Sequence, residues 1–313
     1  MEKNTILRSS KVVKKSPTNL QRKPWRNIRS VIFLAATLRL CVTILPAHAQ
    51  TAQRYLVVLR DKTASPFSLS RPEQFLSARA VSRRAKQNIA LIERDLPVNP
   101  TYVNQIRAAG AEVLNTSRWL NAVLIRATAA NLQRVQALPF VKELEYGKSI
   151  GVARLATPTE QAERATKFGE TLAETLPYGP SKAQLSQLGL DKLHERGFRG
   201  EGKLVAILDS GFPNANTVSF LQPLIRDNRI VATYDFVDNN RHVYDDDSHG
   251  LNVLSIMAAT ADNRLYGGAF KASYVLLRTE NAPSESPIEE AYWLLGAEFA
   301  DSTGADVINS SLG

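Results

Sequence analysis

The sequence predicts an α/β protein whose main domain, residues 181–313, is a doubly wound parallel sheet, preceded by a smaller α+β domain over residues 52–147. Two observations carry this prediction. In the C-terminal part, short apolar runs alternate with segments of helical spacing, which is typical of a parallel sheet covered by helices on both faces. The N-terminal part instead follows the order strand, helix, strand, strand, helix, strand. Residues 148–180, rich in Thr, Ala, Glu, Lys and Gln, are predicted to form an exposed linker.

Apolar spacing and capping residues define the elements of the smaller domain. Gly110 is a plausible helix stop, Thr128 is a plausible helix cap, and Pro139 ends the segment that Thr128 begins. The predicted strands cover 55–59, 111–117, 120–127 and 141–146, and the predicted helices cover 72–86, 100–110 and 128–138. This order describes a ferredoxin-like unit. Such a unit by itself assigns no function.

The larger domain begins with a predicted amphipathic helix over 185–193. Strands are then predicted over 204–209, 229–236, 273–277 and 305–309, and helices over 251–259 and 288–299. The glycines of the segment 197–202 precede the first strand, whereas a dinucleotide-binding loop follows its strand. A nicotinamide or flavin fold is therefore rejected.

The net charge of +9 is concentrated at the N-terminus. Residues 1–50 contain ten basic residues and one acidic residue, while residues 51–150 carry +8 and residues 151–313 carry −8. We expect the basic small domain to dock on the acidic large one, because complementary charge guides docking and register. No basic stripe interleaved with aromatic residues is present, so no nucleic-acid partner is expected.

Residues 1–49 are predicted to form a basic leader and signal peptide. An apolar run over 31–45 precedes Ala47-His48-Ala49, a small-x-small signal for cleavage after Ala49. The run is short for a bilayer, so no stable membrane span is expected and a secreted or periplasmic location is predicted. Cys41 is the only cysteine, and its removal with the leader would exclude disulfides, thiolate catalysis and cysteine-based zinc sites.

Two residues of the larger domain form a candidate catalytic pair. Asp209 ends an apolar strand in a Ser-Gly turn, and His249 stands at the start of a helix after an acidic loop, with Gly250 beside it. A histidine that serves as general base needs a buried carboxylate on its Nδ1 proton and a free Nε2. Taken singly, Asp209 could be a turn former and His249 a helix cap, so the hypothesis rests on the two together.

These segments resemble the subtilisin-like serine peptidases, the subtilases, whose triad follows the chain order Asp, His, Ser. Asp209-Ser-Gly211 is similar to the family's aspartate motif and His249-Gly250 to its histidine motif, although Leu251 stands where the family usually has Thr. The segment 306–313 is similar to the strand that pairs with substrate. The resemblance implies an incomplete subtilisin-like domain with Asp209 and His249 as catalytic residues and Ser311, Leu312 and Gly313 as substrate-binding residues. Residues 52–147 would be a ferredoxin-like propeptide.

The implied function is a serine-type endopeptidase that acts on protein or peptide substrates. The family's nucleophile motif would lie beyond Gly313, so the chain as printed is expected to be nearly inert. Alternatives are an inactive fragment, or an inhibitor or folding assistant of a peptidase. No cofactor is expected. The residues Asp245-Asp-Asp247 could help to bind calcium but also suit a solvated loop, and surface roles are expected for the histidines outside the pair, including His194.

Overall fold

The computed structural model describes residues 51–151, 154–155 and 176–312. The predicted leader and cleavage site lie outside the described residues, as do most of the predicted linker and Gly313. Within the described part of the chain, no helix combines the length and apolar character that crossing a bilayer requires.

The smaller domain is a four-stranded antiparallel sheet with helices on one face. Its strand order is β2-β3-β1-β4. The elements are β1 (Gln53–Leu59), α1 (Ala78–Gln87), α2 (Pro100–Ala108), β2 (Glu112–Ser117), β3 (Ala122–Ala127), α3 (Ala129–Gln136) and β4 (Val141–Leu144). The predicted order of the strands is therefore confirmed, and two helices, α1 and α2, lie between the first two strands.

The helix predicted over 72–86 is wrong at its start. A short 3-10 turn, Pro72–Gln74, is followed by an independent helix that begins at Ala78. Ser77 separates the two because its backbone is extended and its Oγ accepts a hydrogen bond from the Ala80 N–H at 3.0 Å. A side chain that satisfies a free N–H in this way fixes the first residue of a helix.

The two faces of this sheet belong to different cores. Tyr55, Val57 and Ile125 pack with α2 and α3, while Leu56 and Leu124 join a cluster that contains residues of the larger domain. Alternating side chains of a strand point to opposite faces. The small domain thus buries one face against its own helices and the other against the larger domain.

The larger domain is built on a parallel sheet, as the sequence predicts, and its strand order is β12-β6-β10-β7. The strands are β6 (Leu204–Asp209), β7 (Ile230–Asp235), β10 (Ser273–Arg278) and β12 (Val307–Ser310). The helices α7 (His249–Ala258) and α8 (Pro287–Thr303) each contact β6. Leu254 of α7 and Leu295 of α8 lie in separate cores, with Ile207 in the first and Leu208 in the second. The sheet is thus covered on both faces.

The remaining elements are short. They are α4 (Lys182–Gln187), α5 (Leu190–Glu195), α6 (Gln222–Arg226) and the two-residue strand pairs β5 (Arg154–Leu155) with β11 (Ser284–Glu285) and β8 (Thr260–Ala261) with β9 (Leu265–Tyr266). The single helix predicted over 185–193 is wrong, because Gly189 has φ +69° and divides it into α4 and α5. His194, expected at the surface, is buried between the Tyr178 hydroxyl and the Gly268 carbonyl, each 2.9 Å from a ring nitrogen.

Candidate active site

Asp209 is placed by a fully buried strand. All six residues of β6 are buried, and Asp209 ends the strand at the carboxyl edge of the sheet with no exposed surface. Open parallel sheets place their functional groups at this edge. A carboxylate at that position is costly to bury unless it accepts hydrogen bonds.

His249 supplies one of those hydrogen bonds. It is the first residue of α7, and its Nδ1 lies 2.9 Å from Oδ1 of Asp209. A Cβ at Gly250 would stand 2.3 Å from the Gly211 carbonyl oxygen, so only glycine lets the helix approach the Asp209 turn this closely. Because a carboxylate only accepts, the proton of a neutral ring lies on Nδ1 and Nε2 is left as the basic nitrogen.

The same contact controls the protonation of His249. The hydrogen bond to Asp209 raises the pKa of His249 above its usual 6.5, while partial burial of the ring works in the opposite direction. The side chain is 41% exposed, so the ring can meet both a buried carboxylate and a group in solution. The arrangement is that of a general base held in one tautomer.

Ser210 and Asp247 hold the pair in place through hydrogen bonds, a role that the sequence analysis did not assign to them. Asp209 Oδ1 also accepts from the backbone N–H of Ser210 at 2.8 Å, and Ser210 Oγ lies 3.2 Å from it. Asp247 Oδ1 accepts from Ser210 Oγ at 3.0 Å and from the His249 N–H at 2.8 Å. The turn after Asp209 and the residues before His249 are therefore joined through one carboxylate.

Arg278 is a further residue that the sequence analysis missed. It ends β10 beside Asp209, with which it is in register, and its side chain is 5% exposed. Its Nη1 lies 2.9 Å from Asp235, 2.8 Å from Asp238 and 3.1 Å from Asp246. The sequence did carry a signal for Arg278, namely a charged residue at the end of an apolar strand. Because buried charges are almost always paired, such a residue indicates acidic partners nearby.

Carboxylate oxygens of Asp235, Asp238 and Asp246 lie within 4.8 Å of one another, as in a metal site. Arg278 already contacts all three. In the segment suggested for calcium, Asp245 lies 3.1 Å from His242 and Asp247 binds Ser210 and His249 as described above. The expectation that no cofactor is needed, and the calcium alternative for this segment, both stay predictions.

The predicted substrate-binding residues follow β12. Because Ser310 pairs with Leu208, Ser311 continues the strand at the same edge as Asp209. Ser311 Oγ accepts a hydrogen bond from the Asn309 side chain at 2.9 Å, and Leu312 is half-buried. Gly313 lies outside the described residues. The substrate-binding role of the three residues stays a prediction.

Ion pairs join the two domains along α8. Arg84 lies 2.8 Å from Asp301, Arg83 also pairs with Asp301, and Arg79 pairs with Asp306. Glu298 accepts from Ser117 Oγ and from the backbone N–H of Arg118 at 2.9 Å. The prediction that the basic small domain docks on the acidic large domain is confirmed.

Comparisons with known proteins match both domains to one family. Residues 54–165 match the peptidase S8 propeptide domain of Bacteroidota, and residues 200–313 match the subtilase family. The propeptide match extends beyond 147, where the sequence analysis ended this domain.

Curated relatives agree with these matches. Subtilisin DY of Bacillus licheniformis is 28% identical over 142 residues, 45% of this chain and 46% of that protein. The cell wall-associated protease of Bacillus subtilis (strain 168) is 24% identical over 204 residues, 64% of this chain and 21% of that protein. The chain thus spans less than half the length of these relatives. The crystal structure of fervidolysin from Fervidobacterium pennivorans aligns with a TM-score of 0.45 and 16% identity, over 83% of this chain and 35% of that one.

Proposed function

The chain belongs to the subtilases as a precursor with a propeptide domain, and from this membership we propose that it is a secreted serine endopeptidase with Asp209 and His249 as catalytic residues. The observation that carries the proposal is the 2.9 Å contact between His249 Nδ1 and Asp209 Oδ1 at the carboxyl edge of the parallel sheet. An aspartate and an exposed histidine in this relation are suited to activate a serine.

In the proposed mechanism, His249 takes the proton of the serine through Nε2 while the serine attacks the peptide carbonyl. Asp209 holds the ring in the required tautomer and stabilises the imidazolium that forms. His249 then returns the proton to the leaving amine, and the acyl-enzyme is hydrolysed by water. The serine itself would be that of the family's nucleophile motif. The proposed chemistry uses side chains alone and needs no cofactor.

The substrate is proposed to bind as an extended strand beside Ser311, Leu312 and Gly313. Extended peptides bind sheet edges through main-chain hydrogen bonds, and β12 is an edge strand of the described sheet. The backbone of β5, which follows the small domain in the sequence, forms an antiparallel pair with β11 of the larger domain. A chain segment therefore already pairs with the larger domain as an added strand would.

Residues 52–147 are proposed to act as the intramolecular inhibitor of the peptidase. Support comes from the arginine and hydrogen-bond contacts to α8 and from the apolar sheet face that the two domains share. As a second candidate, the product itself could inhibit or assist another copy of a complete peptidase. Added in excess, residues 52–147 should inhibit the completed enzyme, and no inhibition at micromolar concentration would exclude both inhibitory roles.

The enzymatic proposal is tested with protein expressed from the gene extended beyond codon 313. A fluorophosphonate probe should label it at serine, and His249→Ala should abolish the labelling. His242→Ala is the matched control, because His242 is a surface histidine whose side chain is 63% exposed, pairs with Asp245 and contacts the ring of Tyr244. Equal labelling of the His249→Ala protein and the unmodified protein would remove His249 from the proposed role.

Secretion through the leader is part of the proposal. Export in a bacterial host should yield a protein that starts at Gln50 if cleavage follows Ala49. N-terminal sequencing of the exported protein gives the answer directly. A product that retains residues 1–49 would contradict the signal-peptide assignment.

A further inference from the structure

We propose that Arg278 is a positioning residue that acts as a built-in cation. Its guanidinium fills the place that three carboxylates would otherwise offer to a divalent metal ion, and it thereby holds the Asp209 turn against the His249 loop. The inference rests on the proposed function, because it concerns the alignment of the proposed catalytic pair.

The contacts of Arg278 reach three separate segments of the chain. Nη1 binds Asp235 at the end of β7 and Asp238 three residues later. It also lies 3.1 Å from Asp246, and Nε donates to the Ser210 carbonyl at 3.2 Å. One side chain on β10 therefore ties the turn that follows Asp209 to the loop that precedes His249.

The charge balance of this cluster resembles that of a metal site. A single positive charge faces three carboxylates, and Asp235 has almost no exposed surface. Removing a central cation would leave buried negative charge uncompensated, which is strongly destabilising. A divalent metal ion with oxygen ligands would meet the same need. The guanidinium meets it without an ion from solution.

Asp246 links the cluster to the histidine. Its backbone forms a bridge with Gly211, and its φ of +64° is a left-handed conformation that few residue types adopt readily. Asp247, the next residue, accepts the N–H of His249. A contact that fixes Asp246 therefore also fixes the start of α7, where His249 lies.

The test follows the pKa of His249 by NMR of the imidazole ring in the full 313-residue chain. Asp209→Asn serves as the reference for a lost Asp–His contact. The pKa should fall in Arg278→Ala by at least half as much as in Asp209→Asn. Arg229→Ala is the matched control, because Arg229 binds the carbonyls of Phe270 and Ala272 instead of this loop. It should leave the pKa of His249 unchanged.

The direction of the shift separates positioning from simple charge. If the geometry stayed intact, loss of a nearby positive charge would raise the pKa of His249. A fall therefore reports that the Asp209–His249 contact is lost or lengthened. An unchanged or raised pKa in Arg278→Ala would overturn the proposal.

Chemical rescue tests the role as a cation. Added Ca²⁺ or guanidinium should restore the pKa of His249 in Arg278→Ala and should have no effect on the unmodified chain. Failure of both to restore it, or a response of the unmodified chain, would overturn the proposal.

A second variant covers loss of folding. If Arg278→Ala does not fold, Arg278→Gln keeps most of the side chain and one donor group but removes the charge, and the same fall is expected. An unchanged pKa in Arg278→Gln would then decide against the proposal. A normal response to Asp209→Asn with none to Arg278 variants refutes the built-in cation alone, whereas no response to Asp209→Asn refutes the proposed catalytic pair.

Discussion

Two arginine clusters of this protein have similar chemistry and different consequences. The site cluster consists of Arg278 with Asp235, Asp238 and Asp246, all within the larger domain. In the interface cluster, the cations belong to one domain and the anions to the other; its members are Arg79, Arg83, Arg84 and Arg118 with Glu298, Asp301 and Asp306.

The difference lies in what happens when each cluster opens. If the domains separate, the groups of the interface cluster return to water, and solvation replaces much of the lost attraction. The site cluster cannot open in this way, because Asp235 and Arg278 are buried within one fold. The same residue types thus form a reversible contact between the domains and a fixed, buried ion-pair cluster next to the proposed active site.

The largest effect is expected from breaking the site cluster at its buried acid. Asp235→Ala removes a partner of Arg278 and the acceptor of the Val237 and Asp238 N–H groups. Breaking a buried pair from one side costs about 3–5 kcal/mol of unfolding free energy. Urea unfolding of the full chain, with and without the substitution, measures this loss of unfolding free energy.

Asp238→Ala is the matched control for Asp235→Ala. Asp238 binds the same guanidinium, but its side chain is 60% exposed, and exposed pairs contribute about 0–1 kcal/mol. Equal losses of stability in the two variants would show that burial does not distinguish these carboxylates.

A smaller effect is expected in the interface cluster from Glu298→Ala. The change leaves Ser117 Oγ and the N–H groups of Arg118 and Trp119 without their acceptor, which costs about 1–3 kcal/mol when such groups stay buried. Amide hydrogen exchange at Arg118 and Trp119 should therefore accelerate by roughly tenfold or more. Glu112→Ala, which removes an exposed pair with Arg126, should leave those amides unchanged. Unchanged exchange in Glu298→Ala would contradict the role of Glu298 in docking.

The next comparison uses two helix caps in the small domain. Ser77→Ala should cost about 0.5–2 kcal/mol, because Ser77 Oγ caps α1 through the Ala80 N–H. The loss of unfolding free energy in Ser77→Ala should exceed that in Thr128→Ala. Ser77 Oγ also donates to the Thr303 carbonyl across the interface, whereas Thr128 only caps α3. Thermal unfolding of both variants measures the difference. A larger loss in Thr128→Ala would show that the interface contact of Ser77 adds nothing.

The smallest effect is expected from pH between neutrality and pH 5. Burial is the largest single influence on Asp301 and raises its pKa, but the hydrogen bonds from Arg84 and Arg83 together hold the pKa below its usual 3.8. A lowered carboxylate pKa contributes stability above 3.8 that is lost as pH falls further. Burial raises the pKa of Glu298, so Glu298 takes up its proton before Asp301 does. Because a raised carboxylate pKa favours folding as pH falls, proton uptake by Glu298 does not open the interface. Exchange protection at the interface, corrected for the intrinsic pH dependence of amide exchange, should hold to pH 5 and fall below about pH 4. A loss of protection already at pH 6 would contradict the lowered pKa of Asp301.

Parts of the fold were predictable because their signals are local. The six buried residues of β6 form one apolar run, and the Asp209 turn and the His249 helix start each carry their own short motif. The opposite charges of the two domains were also readable from counts alone.

Other features depend on contacts between distant residues. The hydrogen bond that starts α1 at Ala78 is local, yet Ser77 lies within a helical apolar pattern that conceals the break. Arg278 meets carboxylates that lie about 30 to 40 positions earlier in the chain, and only the paired strands β7 and β10 bring them together. The exposed-loop interpretation of the acidic segment therefore missed the specific partners of Asp246 and Asp247.

The contact between Asp209 and His249 can be measured directly by titrating His249 in the intact chain and in Asp209→Asn. We expect a pKa above 6.5 in the intact chain and a clear fall in the variant, because the carboxylate hydrogen bond is the main cause of the raised value. Identical titration curves in the two proteins would show that this carboxylate does not act on the imidazole, and the proposed catalytic pair would be refuted.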